Sequence, residues 1–422
     1  MPQLKFFTQE ANEFLGLDMD TSVDDLLGTV YYEDDINYSE VQEKVSQIKC
    51  RPFIEYINKF LYLVYFPEDK PAFEKLTKKD FRACAKSIFE KNGIKFQGGS
   101  LYKQWNDCDY RVERETVFNW AFALGMSMEE TQIFLKKVAR MHDFDYRSAK
   151  ETVYAYCLKN SLGYSDAQRI LEECRNCEYE PEAETVKETS TTECRSLFDS
   201  KVKNEEDLKR HASFLMKTEG LGERSSVEKL RKLLEEFKSY IKETADLEED
   251  SLESTVHQLY NLLAIDMDKL KSVGAFDAEV EGMIPGIDGD MDVAEIIGDE
   301  KWCENVVLNF SEWIDDARIS VSTLRRKTKG EVAIERQDII TLAFMSYLYE
   351  NRWNEELYTD IKTKFDECTD HINFWLERFG MMPLYFAHPF ECFIALCLLT
   401  PNSELAFKVV VKRCEQEKNK NK

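Results

Sequence analysis

Glycine and proline are scarce in this 422-residue chain, at 16 and 9 residues. Few breakers in so long a chain argue against a sandwich of many short strands and for helices. Histidine is rarer still: the five, His142, His211, His257, His371 and His388, stand alone, with no pairing at metal-ligand spacing. There is no Gly-x-Ser-x-Gly elbow and no phosphate-cradling glycine loop. Gly220-Leu-Gly222 lies between helical segments with no preceding strand, so it is not a nucleotide fingerprint. The most apolar run, Phe390 to Leu399, is interrupted by Glu391 and is too short to span a bilayer. Met1-Pro-Gln-Leu-Lys leads into a mixed segment, not a basic-then-apolar leader.

What the chain has in quantity is apolar mass and negative charge. The hydrophobic fraction is 43% and the aromatic fraction 12%, enough for a sizeable core. The length exceeds what one core usually serves, which predicts two or three domains. The formal net charge is −24, which repels nucleic acid at long range and favours solubility or basic protein partners. The 12 cysteines are dispersed, several of them inside apolar helical runs, and read as reduced, buried, small hydrophobes of a cytoplasmic protein.

Periodicity predicts an all-α fold. Segment 39–66 has apolar residues near helical spacing, and Asp80 to Lys91 is a short amphipathic helix ended by Asn92-Gly93. Segment 178–195 has no apolar period and is the expected linker between an N-terminal half, 1–177, and a C-terminal half, 196–422. In the latter, Leu230, Leu233, Leu234, Phe237 and Ile241 form a core stripe. Segment 274–292 reads as a loop, and the tail from Glu415 as a fraying terminus.

The two halves resemble one another. Arg114-Glu-Thr-Val-Phe-Asn-Trp-Ala-Phe122 matches Arg336-Gln-Asp-Ile-Ile-Thr-Leu-Ala-Phe344, 222 positions on, with Ser100 on Ser322 and Lys103 on Arg325. Glu151-Thr-Val-Tyr-Ala-Tyr-Cys-Leu158 matches Glu391-Cys-Phe-Ile-Ala-Leu-Cys-Leu398, 240 positions on, and Cys174 then falls on Cys414. Two pseudo-repeated units are expected, related over 93–176 and 318–414. Within the first, Leu124-Gly-Met-Ser-Met-Glu-Glu echoes Leu162-Gly-Tyr-Ser-Asp. In each, Gly should close one helix and Ser cap the next, with Glu130 completing a capping box on Ser127.

These motifs carry a resemblance. Gly93-Ile-Lys, Gly99-Ser-Leu-Tyr-Lys-Gln-Trp, Arg114-Glu-Thr-Val and Ala123-Leu-Gly-Met-Ser-Met-Glu-Glu-Thr together resemble a helix-turn-helix domain of the phage-repressor type. Arg318-Ile-Ser-Val-Ser-Thr-Leu-Arg-Arg-Lys-Thr-Lys-Gly, followed by Arg336-Gln-Asp-Ile-Ile, repeats the theme. The resemblance implies helix-turn-helix substructures and a regulatory role, in a bacterial mobile-element or anti-phage setting. The first copy departs from it at Trp105-Asn-Asp-Cys-Asp, acidic where a phosphate-facing loop should be basic; the second lacks the Leu-Gly-x-Ser junction.

The candidate contact residues form one basic cluster. Arg325, Arg326, Lys327 and Lys329 fall together, with Arg318 one or two turns earlier. Such a helix can neutralise phosphates or place guanidinium forks on guanine edges, or it can form a solvated face paired with the chain's own carboxylates. Asp288-Gly-Asp-Met-Asp-Val-Ala-Glu295 resembles a calcium loop, but Val293 stands where the turn needs Gly and Asp299 where a Glu is usual. Cys174-Arg-Asn-Cys177 lacks a second ligand pair for zinc. Neither a cofactor nor a metal is expected. The reading is a non-catalytic regulatory or interaction protein with a protein partner and no membrane. The alternatives are a nucleic-acid-binding regulator using the basic helix, and an enzyme with an unrecognised helical site.

Overall fold

The computed structural model describes residues 6–17, 52–65, 73–95, 105, 112–176, 191–244, 314, 321–351, 360–386, 388–400 and 402–420. The fold is all-α: among the described residues there is no strand. None of their helices is long and apolar enough to cross a membrane. Described residues up to Gly220 form one compact unit and those from Leu221 a second.

Unit one opens with α1 (Gln9–Leu15), α2 (Phe53–Tyr65), a 3₁₀ turn (Phe73–Lys75) and α3 (Lys78–Lys91). Thr77 and Asp80 cap α3 reciprocally, the Thr77 amide donating to the Asp80 carboxylate and the Asp80 amide to the Thr77 hydroxyl. Phe81, Ala85, Ile88 and Phe89 recur at helical spacing on its buried face. Gly93, at φ +67°, ends it, with the Ile94 amide donating to the Phe89 carbonyl.

Next come α4 (Arg114–Leu124), α5 (Met128–Ile133) running into a π-helical turn (Phe134–Val138), α6 (Ala149–Lys159) and α7 (Tyr164–Arg175). Gly125, at φ +66°, closes α4, and the Ser127–Glu130 capping box opens α5 as expected. The second carboxylate oxygen of Glu130 accepts the Phe6 amide at 2.9 Å and ties the N-terminal segment to α5. The α6–α7 junction differs from expectation. Ser161, not Gly163, takes the left-handed conformation (φ +54°) that ends α6. Gly163 is the N-cap of α7, and Ser165 lies inside that helix. Aromatic rings fill the core, Phe89 on Trp120 and Phe60 on Phe134 among them.

The expected linker 178–195 is corrected at its end. Residues from Thr191 belong to α8 (Thr191–Lys201), because Cys194, Phe198 and Val202 supply an apolar stripe that the Thr-rich run conceals. Residues 178–190 lie outside the described part. The boundary between the units falls instead within α9 (Glu205–Thr244), at Gly220.

Unit two contains the later part of α9, where Leu230, Leu233 and Leu234 are buried as expected. It continues with α10 (Val321–Thr328), α11 (Arg336–Glu350), α12 (Ile361–Arg378), α13 (Pro389–Leu398) and α14 (Ser403–Lys420). Pro389 sits at the first position of α13, where its missing N–H costs nothing. Every residue of α13 is buried, so it is a central helix of its unit. α14 runs through Lys420 and takes in most of the charged tail. The described cysteines form no disulfide, and all but Cys84 are buried.

Candidate functional site

The site begins with α10. Its helical period puts Leu324, Lys327 and Thr328 on the buried side, and Arg325 and Arg326 on the exposed one, with Lys329 exposed just beyond its end. Gly330, at φ +73°, then stops the helix. The Glu331 amide donates to the Arg326 carbonyl at 2.9 Å, and Arg231 donates to the Thr328 carbonyl at 2.9 Å.

The five basic candidates therefore separate. Arg325, Arg326 and Lys329 are exposed, and Arg326 lies 3.6 Å from Glu331. Lys327 is corrected. It is 4% exposed, and its ammonium donates to Asp338 on α11, with Glu335 at 3.9 Å. It is an internal lock between α10 and α11. Burial raises the Asp338 carboxyl above its ordinary pKa, with the Lys327 ammonium pulling the other way. Arg318 lies outside the described residues, as do segment 99–104 of the first copy and the calcium-like loop from Asp288. Trp105 is buried, its indole N–H donating to Asn58 at 2.9 Å, so it belongs to the core.

A second feature occurs once in each unit. In unit one the Arg114 guanidinium forks onto both Glu151 carboxylate oxygens at 2.6 and 2.7 Å. It also donates to the carbonyls of His142 (2.8 Å) and Asp143 (2.7 Å). Glu151 accepts the Asp145 amide at 2.8 Å. In unit two Arg336 forks onto Glu391 at 2.8 and 2.9 Å. It donates to the carbonyls of Met382 and Pro383, and Glu391 accepts the Tyr385 amide at 2.6 Å. The five bonds match one for one. Arginine and glutamate occupy the positions paired by sequence, and the carbonyls and amides follow the same 240-residue spacing.

Bidentate arginine–carboxylate geometry is among the strongest of charge-assisted hydrogen bonds. Each clamp pins a loop (α5 to α6 in unit one, α12 to α13 in unit two) against the start of α4 or α11. Burial works against the Arg114 charge, and Glu151 with Asp145 and Asp143 more than offsets it, leaving the pKa raised. Sequence pairing placed these residues in register but did not show that they touch. The signal was an arginine and a glutamate recurring in matched order in the two halves, Glu391 standing in an otherwise apolar helix.

No protein-family model, curated protein or solved structure matches the chain.

Two further groups were not foreseen. His371 lies 3.8 Å from Glu236, beyond hydrogen-bond reach, and burial pushes its pKa down to about 4. Lys364 on α12 is buried beside the start of α14 and donates to the Thr400 carbonyl at 2.6 Å. Among the described residues no group of three or more His, Cys, Asp or Glu side chains is placed to hold a metal ion.

Proposed function

We propose that this chain is a non-catalytic helical regulatory protein that acts by binding another macromolecule, a protein first of all, through α10 and the turn that follows it. The observation that carries the reading is the two-sidedness of that segment. Leu324, Lys327 and Thr328 fix it to its unit, while Arg325, Arg326 and Lys329 stand exposed on a molecule of net charge −24. A fixed cationic ridge complements a partner surface carrying carboxylates, and the chain's overall charge disfavours a bare polyanion. The buried ionic groups fit a non-catalytic role, because Arg114, Arg336 and Lys327 are all engaged in holding loops and helices. The matched clamps support descent of the two units from one duplicated helical unit. The resemblance to phage-repressor helix-turn-helix domains supports regulation, and a bacterial mobile-element or anti-phage setting goes with it. Buried thiols favour a reducing, cytoplasmic compartment.

A second reading, a nucleic-acid-binding regulator, is favoured by the adjacent guanidiniums of Arg325 and Arg326 on one helix. Fluorescence anisotropy against random-sequence DNA and RNA pools across a salt series separates the two. The protein-partner reading expects no binding at physiological salt. It also expects a defined partner whose co-elution is lost in the triple variant Arg325→Glu, Arg326→Glu, Lys329→Glu while circular dichroism and Tm are kept. Pool binding that weakens with salt and vanishes in Arg325→Glu/Arg326→Glu would replace it with the nucleic-acid reading.

A further inference from the structure

Three helices of unit two line a small, partly open cavity. Its lining comes from the end of α11 (Tyr347, Leu348, Asn351), the first turn of α12 (Lys364) and the start of α14 (Asn402, Ser403, Glu404). Its volume is about 20 Å³, room for one water-sized guest.

Three groups around it can donate a hydrogen bond. The Lys364 ammonium is one, anchored on the Thr400 carbonyl. Ser403 is the second: it is 2% exposed, and its hydroxyl is buried with no hydrogen-bond partner. A buried hydroxyl left without a partner costs free energy, so its persistence calls for an occupant. The third is the N-terminus of α14. The Ala406 amide bonds to the Asn402 carbonyl at 3.0 Å, so the amides of Ser403 and Glu404 precede the helical ladder. An 18-residue helix presents a positive dipole end there. Glu404, the carboxylate among the lining residues, is held by Lys408 one turn further on.

We propose that this cavity binds a single inorganic anion of the halide class. The ammonium, the hydroxyl and the helix N-terminus together select an acceptor, and the positive charge selects an anion over water. A space that holds about one water-sized guest admits a monatomic anion. The anion would supply the partner that Ser403 lacks, favour the charged form of Lys364, and join the ends of α11, α12 and α14. Burial lowers the Lys364 pKa to about 8, against the opposing influence of the Cys368 and Cys397 thiols. Tyr347 and Glu404 face the same space. Binding should therefore weaken as pH rises through that value.

The test is thermal unfolding of the full chain at fixed ionic strength, with sodium chloride exchanged for sodium gluconate. Chloride is expected to raise Tm saturably, by about 3 °C at a tenfold excess over its dissociation constant, and bromide to do the same. Lys364→Met should abolish the difference between chloride and gluconate, and Ser403→Ala should reduce it. Chloride NMR on the wild-type chain should show line broadening that bromide competes away. Equal Tm in chloride and gluconate would overturn the proposal, as would a chloride effect undiminished in both variants. If Lys364→Met does not fold, Ser403→Ala and the linewidth decide, and broadening that bromide leaves unchanged overturns the proposal.

Discussion

Arg336 and Arg114 make the same bonds in different surroundings, and the difference sets what their removal costs. The Arg336 and Glu391 side chains are 15% and 1% exposed, against 29% and 13% for Arg114 and Glu151. Arg336→Ala leaves Glu391 charged in the interior with no guanidinium, a loss of about 3–5 kcal/mol. Arg114→Ala leaves a carboxylate that water can reach, and about 1–3 kcal/mol is expected. Urea denaturation of the two variants measures the order, and an equal or inverted pair would show that exposure does not govern the clamps. His371 makes a prediction with pH as the variable. Its pKa is near 6.5 unfolded and about 4 folded, because burial disfavours the imidazolium. Between those values the unfolded chain binds a proton that the folded chain does not. Stability should therefore fall as pH drops from 6.5 to 4, by roughly 3 kcal/mol, and this contribution should level off below that. Burial raises the neighbouring Glu236 carboxyl, which works in the opposite sense as pH rises. The clean readout is thus wild type against His371→Gln, and the wild-type advantage should shrink across that window.

Among the elements, the helix ends separate what the sequence could reveal from what it could not. The Ser127–Glu130 box and the Gly125 stop were readable because capping is local: the partners lie three residues apart and need nothing else. The α6–α7 junction was misread because Ser161 accepts a left-handed backbone that glycine would take more cheaply, which no pattern announces. The start of α8 was hidden because Thr191 and Thr192 look like linker until Cys194 and Phe198 are seen to be buried. Lys327 was left open between a phosphate contact and a pairing with the chain's own carboxylates, although Leu324, three positions earlier, lies on the same buried face; the helical period was there to be used. The Lys364 cavity was beyond reach, because its walls come from three separated segments. Gly93 and Gly125 offer a test of helix ending. Both have positive φ, so alanine costs about 1 kcal/mol at either. At Gly125 an added Cβ meets nothing within 4 Å, whereas at Gly93 it meets the Ser165 hydroxyl at 3.0 Å. Gly93→Ala should therefore cost more than Gly125→Ala, and adding Ser165→Ala should bring it down to the same level. If the gap survives the second substitution, crowding by Ser165 is not its cause.

For the whole molecule the governing quantity is the net charge of −24, against which the α10 ridge supplies a local exception. If nucleic acid is the partner, the ridge bounds how electrostatic the binding can be. Three exposed cations, Arg325, Arg326 and Lys329, let the described part of this ridge neutralise at most three phosphates. The slope of log Kobs against log salt on duplex DNA should then be no steeper than about −3, and each cation removed should flatten it by about one. Lys327 gives the internal control. Lys327→Met should leave that slope unchanged, because its ammonium does not reach a phosphate. It should lower stability instead, because Asp338 loses the ammonium that it meets inside the unit. A slope that flattens in Lys327→Met would place that side chain at the interface and would require α10 to turn or open on binding. An unchanged slope with a lowered Tm would fix the two faces of α10 as separate in function as well as in burial.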